Sequence, residues 1–178
     1  LDESDSYGVE MALQLVDEAG SGEVRLVSMA PNNEMSGLRT ALAMGAASAV
    51  LVSDDALAGS DALSTAKVLA AAINRSEPTL ILTATESSDG YTGTVPVQIA
   101  EILDLPAVTF AKEISVNGDA VSVKRQTEEG YDEVECPLPC VVSVTAGVVE
   151  PRYPSFKGIM AAKNKPVEEL DLDALGIE

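Results

Sequence analysis

The sequence predicts an α/β fold: a three-layer arrangement in which a parallel sheet carries helices on both faces, followed by an antiparallel extension. Three observations carry this reading. Apolar runs of four to six residues, bounded by turn residues, recur between positions 24 and 110, and continuous apolar strands belong to parallel sheets covered on both faces. Segments with apolar residues at helical spacing separate those runs. After residue 110 the rhythm turns to short alternating segments joined at Asn117-Gly118, a pair whose ready access to positive φ makes it a strong hairpin signal.

Each element follows in order. Asp5 or Ser6 is expected to cap a first helix with Val9, Ala12, Leu13 and Val16 on one face, ended by Gly20-Ser21-Gly22. Residues 24–29 read as a short apolar strand. Leu38, Ala41 and Leu42 mark a second helical face closed by Gly45, and residues 49–52 form the next strand. Ser60 or Asp61 opens a third helix carrying Leu63, Ala66, Leu69, Ala70 and Ile73, and Pro78 precedes the β-rich run 79–83. The polar loop 86–93 leads into a helix around 98–103, which Pro106 stops ahead of strand 107–110. The alternating segments 113–116, 121–125, 131–135 and 141–145 make up the extension. Residues 1–146 thus form one α/β domain. Residues 147–178, rich in Pro and charge and poor in apolar period, form a segment expected to lie over the surface or over a partner. A first helix needs a sheet to pack against, so a strand is expected ahead of Leu1.

Composition narrows the function. The chain has 178 residues, 11 Lys+Arg against 29 Asp+Glu and a formal net charge of −18. Such an acidic surface repels phosphate backbones and anionic headgroups, so neither nucleic acid nor direct membrane insertion is expected. The longest near-apolar run, residues 41–52, is 12 residues, short of the ~20 needed to cross a bilayer. Histidine is absent, which removes the usual general base and the commonest zinc ligand. No paired carboxylate, activated nucleophile or ligand cluster stands out, so no catalytic residue and no metal site is expected. Cys136 and Cys140, in Cys-Pro-Leu-Pro-Cys, have neither the Cys-x-x-Cys redox spacing nor the partners of a zinc site, and read as strand residues of a reducing compartment.

Two segments nonetheless stand out. The loop 87–94, Ser-Ser-Asp-Gly-Tyr-Thr-Gly-Thr, follows a strand and opens a helix. Exposed N–H groups and the helix dipole favour an anion there, and glycines let the main chain approach a phosphate. The same residues also serve a plain strand-to-helix turn, and they match neither Gly-x-Gly-x-x-Gly nor a Walker loop. Between Glu150 and Pro166, four of the eleven basic residues, Arg152, Lys157, Lys163 and Lys165, face one acid. With Tyr153, Phe156, Ile159 and Met160 among them, this strip reads either as a docking segment or as local core packing with solubilising lysines. The acidic opening Asp2, Glu3 and Asp5 reads as helix capping or as a ribose-contacting turn.

Several strings carry a more specific signal. Residues 2–10 (DESDSYGVE), 41–73 (ALAMGAASAVLVSDDALAGSDALSTAKVLAAAI), 87–106 (SSDGYTGTVPVQIAEILDLP) and above all 150–170 (EPRYPSFKGIMAAKNKPVEEL) resemble the beta subunit of electron transfer flavoprotein over nearly the whole chain. The resemblance implies a Rossmann-like fold of the adenine nucleotide alpha hydrolase-like type. It implies a heterodimer whose alpha subunit holds most of an FAD, while the beta subunit buries AMP or a second flavin. The implied role is electron carriage from acyl-CoA and other dehydrogenases to a membrane-bound electron transfer flavoprotein quinone oxidoreductase. Such a carrier is not itself an enzyme, and it works in a bacterial cytoplasm or a mitochondrial matrix. Asp89, Gly90, Thr92, Gly93, Thr94 and Val95 match the family's AMP loop, and the turn from Asp2 to Asp5 matches another edge of that site. Met29 and Ala30 match a position beside the adenosine, and Arg125 a basic position facing the flavin-bearing domain. Arg152, Tyr153, Phe156, Lys157, Ile159 and Met160 match the partner-recognition segment, with Phe156 as the apolar anchor where the family more usually has Leu. Tyr91 and Thr94 depart from the Asp and Gln character expected there. Family chains also have a leading strand and a C-terminal arm around the alpha subunit, expected to lie outside residues 1–178. A free-standing adenine-nucleotide regulatory module without flavin is the alternative reading.

Overall fold

The computed structural model describes residues 1–178. Helix α1 (Glu3–Ala19) begins earlier than a cap at Asp5 or Ser6 would allow, because the Asp2 carboxylate accepts the Ser4 N–H at 2.8 Å and caps it. Its buried residues are Gly8, Glu10, Met11 and Leu13; of the predicted stripe Leu13 is buried and Val9 packs against the core, but the inward face is rotated to take in Gly8, Glu10 and Met11. Gly20, at φ 68, ends the helix. The alternation then runs as expected: β1 (Arg25–Met29), α2 (Ser36–Met44), β2 (Ser48–Val52), α3 (Ala62–Asn74), β3 (Leu80–Ala84) and α4 (Val95–Ile102). Asp61 caps α3 by accepting the Ser64 N–H at 2.7 Å. Helix α4 starts ahead of its apolar stripe because Pro96 sits in the first turn, where a missing N–H breaks no bond.

The remaining elements are β4 (Ala107–Asn117), β5 (Ala120–Gln126), β6 (Tyr131–Pro137), β7 (Cys140–Val144), α5 (Phe156–Ala162), β8 (Val167–Leu170) and α6 (Leu172–Leu175). They build two sheets, one ordered β1-β2-β8 and fully parallel, the other ordered β3-β7-β4-β5-β6. In the second sheet β3, β7 and β4 run parallel, while β4, β5 and β6 form the antiparallel extension. The α/β class holds, and the Asn117-Gly118 turn joins β4 to β5 as predicted, with Gly118 at φ 64.

Two placements differ from the sequence reading. Strand β7 is not part of the extension: it lies parallel between β3 and β4, and its five residues are all buried. A continuous buried apolar run is what a central parallel strand requires. Residues 167–170, expected on the surface, pair with β2 and place Leu170 in the core. The core lies on both faces of the sheets and is built from Ala, Val, Leu, Ile, Met and the two Cys. None of the chain's two Phe and four Tyr residues is buried; Tyr7 packs partly against the core, and Lys112 and Lys124 lie over the Tyr131 ring.

Candidate nucleotide and partner site

Parallel strands send their connecting loops to the carboxyl edge of the sheet, and ligands of open α/β sheets bind there. β1, in the three-stranded sheet, ends in Met29 just ahead of Ala30, and β3, in the five-stranded sheet, ends in Ala84 ahead of the loop into α4. The Ala30 N–H donates to the Val52 carbonyl at 3.1 Å, holding the end of β1 to β2. Within the loop, the Tyr91 N–H donates to the Ser87 carbonyl at 3.1 Å, and Tyr91 and Gly93 take left-handed φ of 51 and 64. Thr94 provides no side-chain cap to α4, so the N–H groups of that first turn stay open beside the Gly93 bend. Asp89, Gly90, Thr92 and Thr94 are exposed, while Gly93 and Val95 are half-buried.

The opening turn joins this edge. The Ser88 hydroxyl, followed by the Ser4 amide, holds the Asp2 carboxyl below its ordinary range, which brings the start of α1 onto the loop after β3. Leu1 lies against Gly37 at the start of α2, so the turn spans the exits of β1 and β3. Asp2 therefore caps α1 and stands beside the loop after β3. Asp5 is an exposed residue whose carboxyl is nonetheless packed round by protein, and that desolvation, with the charge of Asp2, raises it. The Ser87 hydroxyl holds the Asp89 carboxyl below its usual range. No Lys or Arg lies between residues 80 and 111, so an anion here would be met by main-chain amides, hydroxyls and the α4 dipole.

Arg125 belongs to the same level of the fold through strand register. Ala84 pairs with Val144, Val144 with Ala111, and Ala111 with Arg125, a lateral row of three strand spacings or roughly 14 Å. Arg125 pairs weakly with Asp132 at 3.9 Å in an exposed setting. Within that row β4 bulges, and Phe110 stands exposed at φ 58 with its N–H donated to Ser143 Oγ at 3.1 Å. A bulky side chain at positive φ is rare, and sequence reading had no signal for it, since Phe110 looks like an ordinary strand residue.

The second candidate surface is α5 and the segment before it. Ser155 caps α5 through the Gly158 N–H at 2.9 Å. Tyr153 is 93% exposed and Phe156 80% exposed, with Ile159 and Met160 also exposed, an apolar patch with no cover from its own chain. The four cations of the strip divide. Arg152 donates to Glu10 and Asp17, and Lys165 Nζ donates to the Leu42 and Ala46 carbonyls at 2.8 and 2.7 Å. Lys157 and Lys163 remain exposed. Cys136 and Cys140 lie unbridged and buried in β6 and β7, as strand residues.

The chain resembles known proteins over nearly its whole length. A family model described as the electron transfer flavoprotein domain matches residues 1–175. The chain is 42% identical to electron transfer flavoprotein subunit beta of Mycobacterium tuberculosis (strain ATCC 25618 / H37Rv) over 183 residues, covering 100% of this chain and 69% of that relative. It is 38% identical to the protein of the same name from Bacillus subtilis (strain 168), covering 98% of this chain and 68% of the relative. It is also 38% identical to the acryloyl-CoA reductase electron transfer subunit gamma of Anaerotignum propionicum, covering 96% and 65%.

Proposed function

The chain belongs to the electron transfer flavoprotein family, among its beta subunits, and from that premise we propose that it seats AMP at the carboxyl edge of its sheets and docks redox partners through α5. Its family role is electron transfer, as one subunit of a flavoprotein whose other subunit is alpha. In this reading the alpha subunit carries most of an FAD, and the flavin, when bound, supplies the one- and two-electron chemistry. This chain's residues bind, orient and shield.

The residues present suit an adenine nucleotide. Open amides at the start of α4, the Gly90 and Gly93 bends and the hydroxyls of Thr92 and Thr94 would receive the phosphate, with Asp89 and Val95 framing it. Met29 and Ala30 would lie beside the adenosine, and Asp2 and Asp5 would close the far wall. Neutral donors on an acidic body favour a monophosphate over a polyphosphate, because each added negative charge adds repulsion without a cation to offset it. Arg125, at the same level, would face the flavin-bearing domain of the partner.

The observation that carries the docking half is the exposed patch of Tyr153, Phe156, Ile159 and Met160, flanked by Lys157. Its partners in this reading are acyl-CoA dehydrogenases on the donor side and the electron transfer flavoprotein quinone oxidoreductase on the acceptor side. The name of the Anaerotignum propionicum relative, an electron transfer subunit of an acyl-CoA reductase, supports acyl-CoA chemistry next to this family. No helix is long and apolar enough to cross a membrane, which suits a carrier that meets a membrane enzyme by docking. The test is co-expression of the full-length chain with an alpha subunit. A yellow heterodimer, reduced by an acyl-CoA dehydrogenase plus substrate and releasing AMP on denaturation, is expected. A colourless pair that does not associate would overturn the reading.

A further inference from the structure

Arg152 sits in the docking segment, yet its guanidinium turns inward. It meets Glu10, a carboxylate only 3% exposed on α1 and 142 residues away. Glu10 accepts the Arg152 main-chain N–H at 3.0 Å, Nε at 2.8 Å and Nη2 at 3.1 Å, and takes a fourth bond from Gln14 Nε2 at 2.9 Å. Nη2 also reaches Asp17 at 3.0 Å. The next residue, Tyr153, is almost wholly in solvent, and Ser155 then caps the helix that presents Phe156.

We propose that Glu10 and Arg152 are positioning residues: they set the direction in which residues 153–160 meet a partner. This rests on the docking reading above. A forked guanidinium and its own N–H closing on one carboxylate fix side chain and main chain together, which a greasy contact of equal area does not do. The far end of the segment is fixed separately. Arg39 Nη1 donates to the Ala162 carbonyl at 2.9 Å, and Lys165 grips the end of α2. The Arg152 end is the one that adjoins the most exposed rings. A patch held ready before contact loses less conformational freedom on docking than one ordered by it, so release of the clamp should weaken partner affinity and leave the electron-transfer step alone.

The experiment uses the full-length heterodimer with an acyl-CoA dehydrogenase and its substrate, and compares Arg152→Ala, Arg152→Lys, Glu10→Gln, Asp17→Asn and Phe156→Ala. Arg152→Ala is expected to raise the KM for the dehydrogenase about tenfold, in the range of a lost hot-spot contact, with kcat unchanged. Faster amide exchange should be confined to residues 150–162. Arg152→Lys recovers part of the affinity, and Asp17→Asn, which removes only the exposed bond, changes little. Phe156→Ala raises KM with no change in exchange. Glu10→Gln keeps the side-chain volume and covers the case in which Arg152→Ala does not fold. Exchange that rises across the whole molecule would make the pair merely structural and overturn the inference. An unchanged KM in Arg152→Ala and Glu10→Gln, beside a raised one in Phe156→Ala, would also overturn it. If Phe156→Ala itself has no effect, the docking reading fails and this inference with it.

Discussion

Glu10 occupies a place that ordinarily excludes a charged carboxylate, and its state should be visible in the pH dependence of stability. Burial pushes its carboxyl up, but the Arg152 fork, the Arg152 N–H and Gln14 outweigh that and hold it below its ordinary range. A group more acidic folded than unfolded stabilises the native state fully above its unfolded value, about 4.3 for Glu, and loses that contribution as pH falls through the folded value. Glu10→Gln should therefore be less stable than the parent near neutral pH, with the gap closing below about pH 4; urea midpoints at both ends of that range measure it. A gap independent of pH would mean that ionisation of Glu10 contributes nothing. The opposite sign of shift marks Cys140, whose thiol burial, with Cys136 beside it, pushes up to about 12. A thiol that protonated does not attack an alkylating reagent, so iodoacetamide should leave Cys140 untouched in the native chain and label it once the chain unfolds. Gln98 offers a third check, since its Oε1 is buried without a hydrogen-bond partner. An unmade bond of that kind costs ~1–3 kcal/mol, so Gln98→Leu should raise the melting temperature of the isolated chain, and a fall would reveal a partner for that oxygen.

Among the elements, those with a complete local signal were legible. Helix α3 has its Asp61 cap and small-residue stripe, β1, β2 and β3 are bounded apolar runs, and the β4–β5 hairpin has Asn-Gly. Elements whose identity rests on a distant neighbour were not. Nothing local tells β7 to leave the extension and lie parallel between β3 and β4, and the Glu-rich Val167–Leu170 becomes a strand only because the edge of β2 is free to pair with it. The start of α1 was misread because two Asp residues that can each cap stand within four positions, and it is Asp2 whose carboxylate accepts the Ser4 N–H. Helix α5 lies in a segment poor in apolar period, and its seat on α2 is tight at a single glycine. A Cβ on Gly158 would run into the Ala43 carbonyl oxygen at the end of α2. Gly158→Ala should therefore push α5 off α2, with a loss of roughly 1–3 kcal/mol from overpacking despite alanine's better helix propensity. A stability gain in thermal melts would show that α5 has room to spare.

At the scale of the whole molecule, the proposed site depends on topology. Asp2 and residues 89–95 were singled out from local pattern, Met29 and Ala30 only through the family resemblance; Met29 at the carboxyl end of β1 and residues 89–95 beyond the carboxyl edge at β3 are placed by the order of the strands. The alignment of Arg125 with that edge passes through β7, the strand the sequence misplaced. Charge is the other property that belongs to the molecule as a whole. Only six of the 29 acidic side chains stand in an ion pair, those of Glu10, Asp17, Glu23, Glu113, Asp132 and Glu168. The rest repel one another across a body of net charge −18, and bringing them together on folding opposes the compact state. Added salt shortens the reach of that repulsion, from a Debye length of about 30 Å at 0.01 M to about 10 Å at 0.1 M. The exposed pairs lose little by the same screening, because such pairs contribute at most ~1 kcal/mol each. Melting temperature should accordingly climb by several degrees as sodium chloride is raised through this range. The climb should shrink as acid neutralises the carboxylates, because the repulsion that salt relieves is then already gone. An equal salt effect at neutral and at acidic pH would assign it to general solvent exclusion instead, and a flat response at neutral pH would mean that the excess negative charge is spread too thinly to oppose folding.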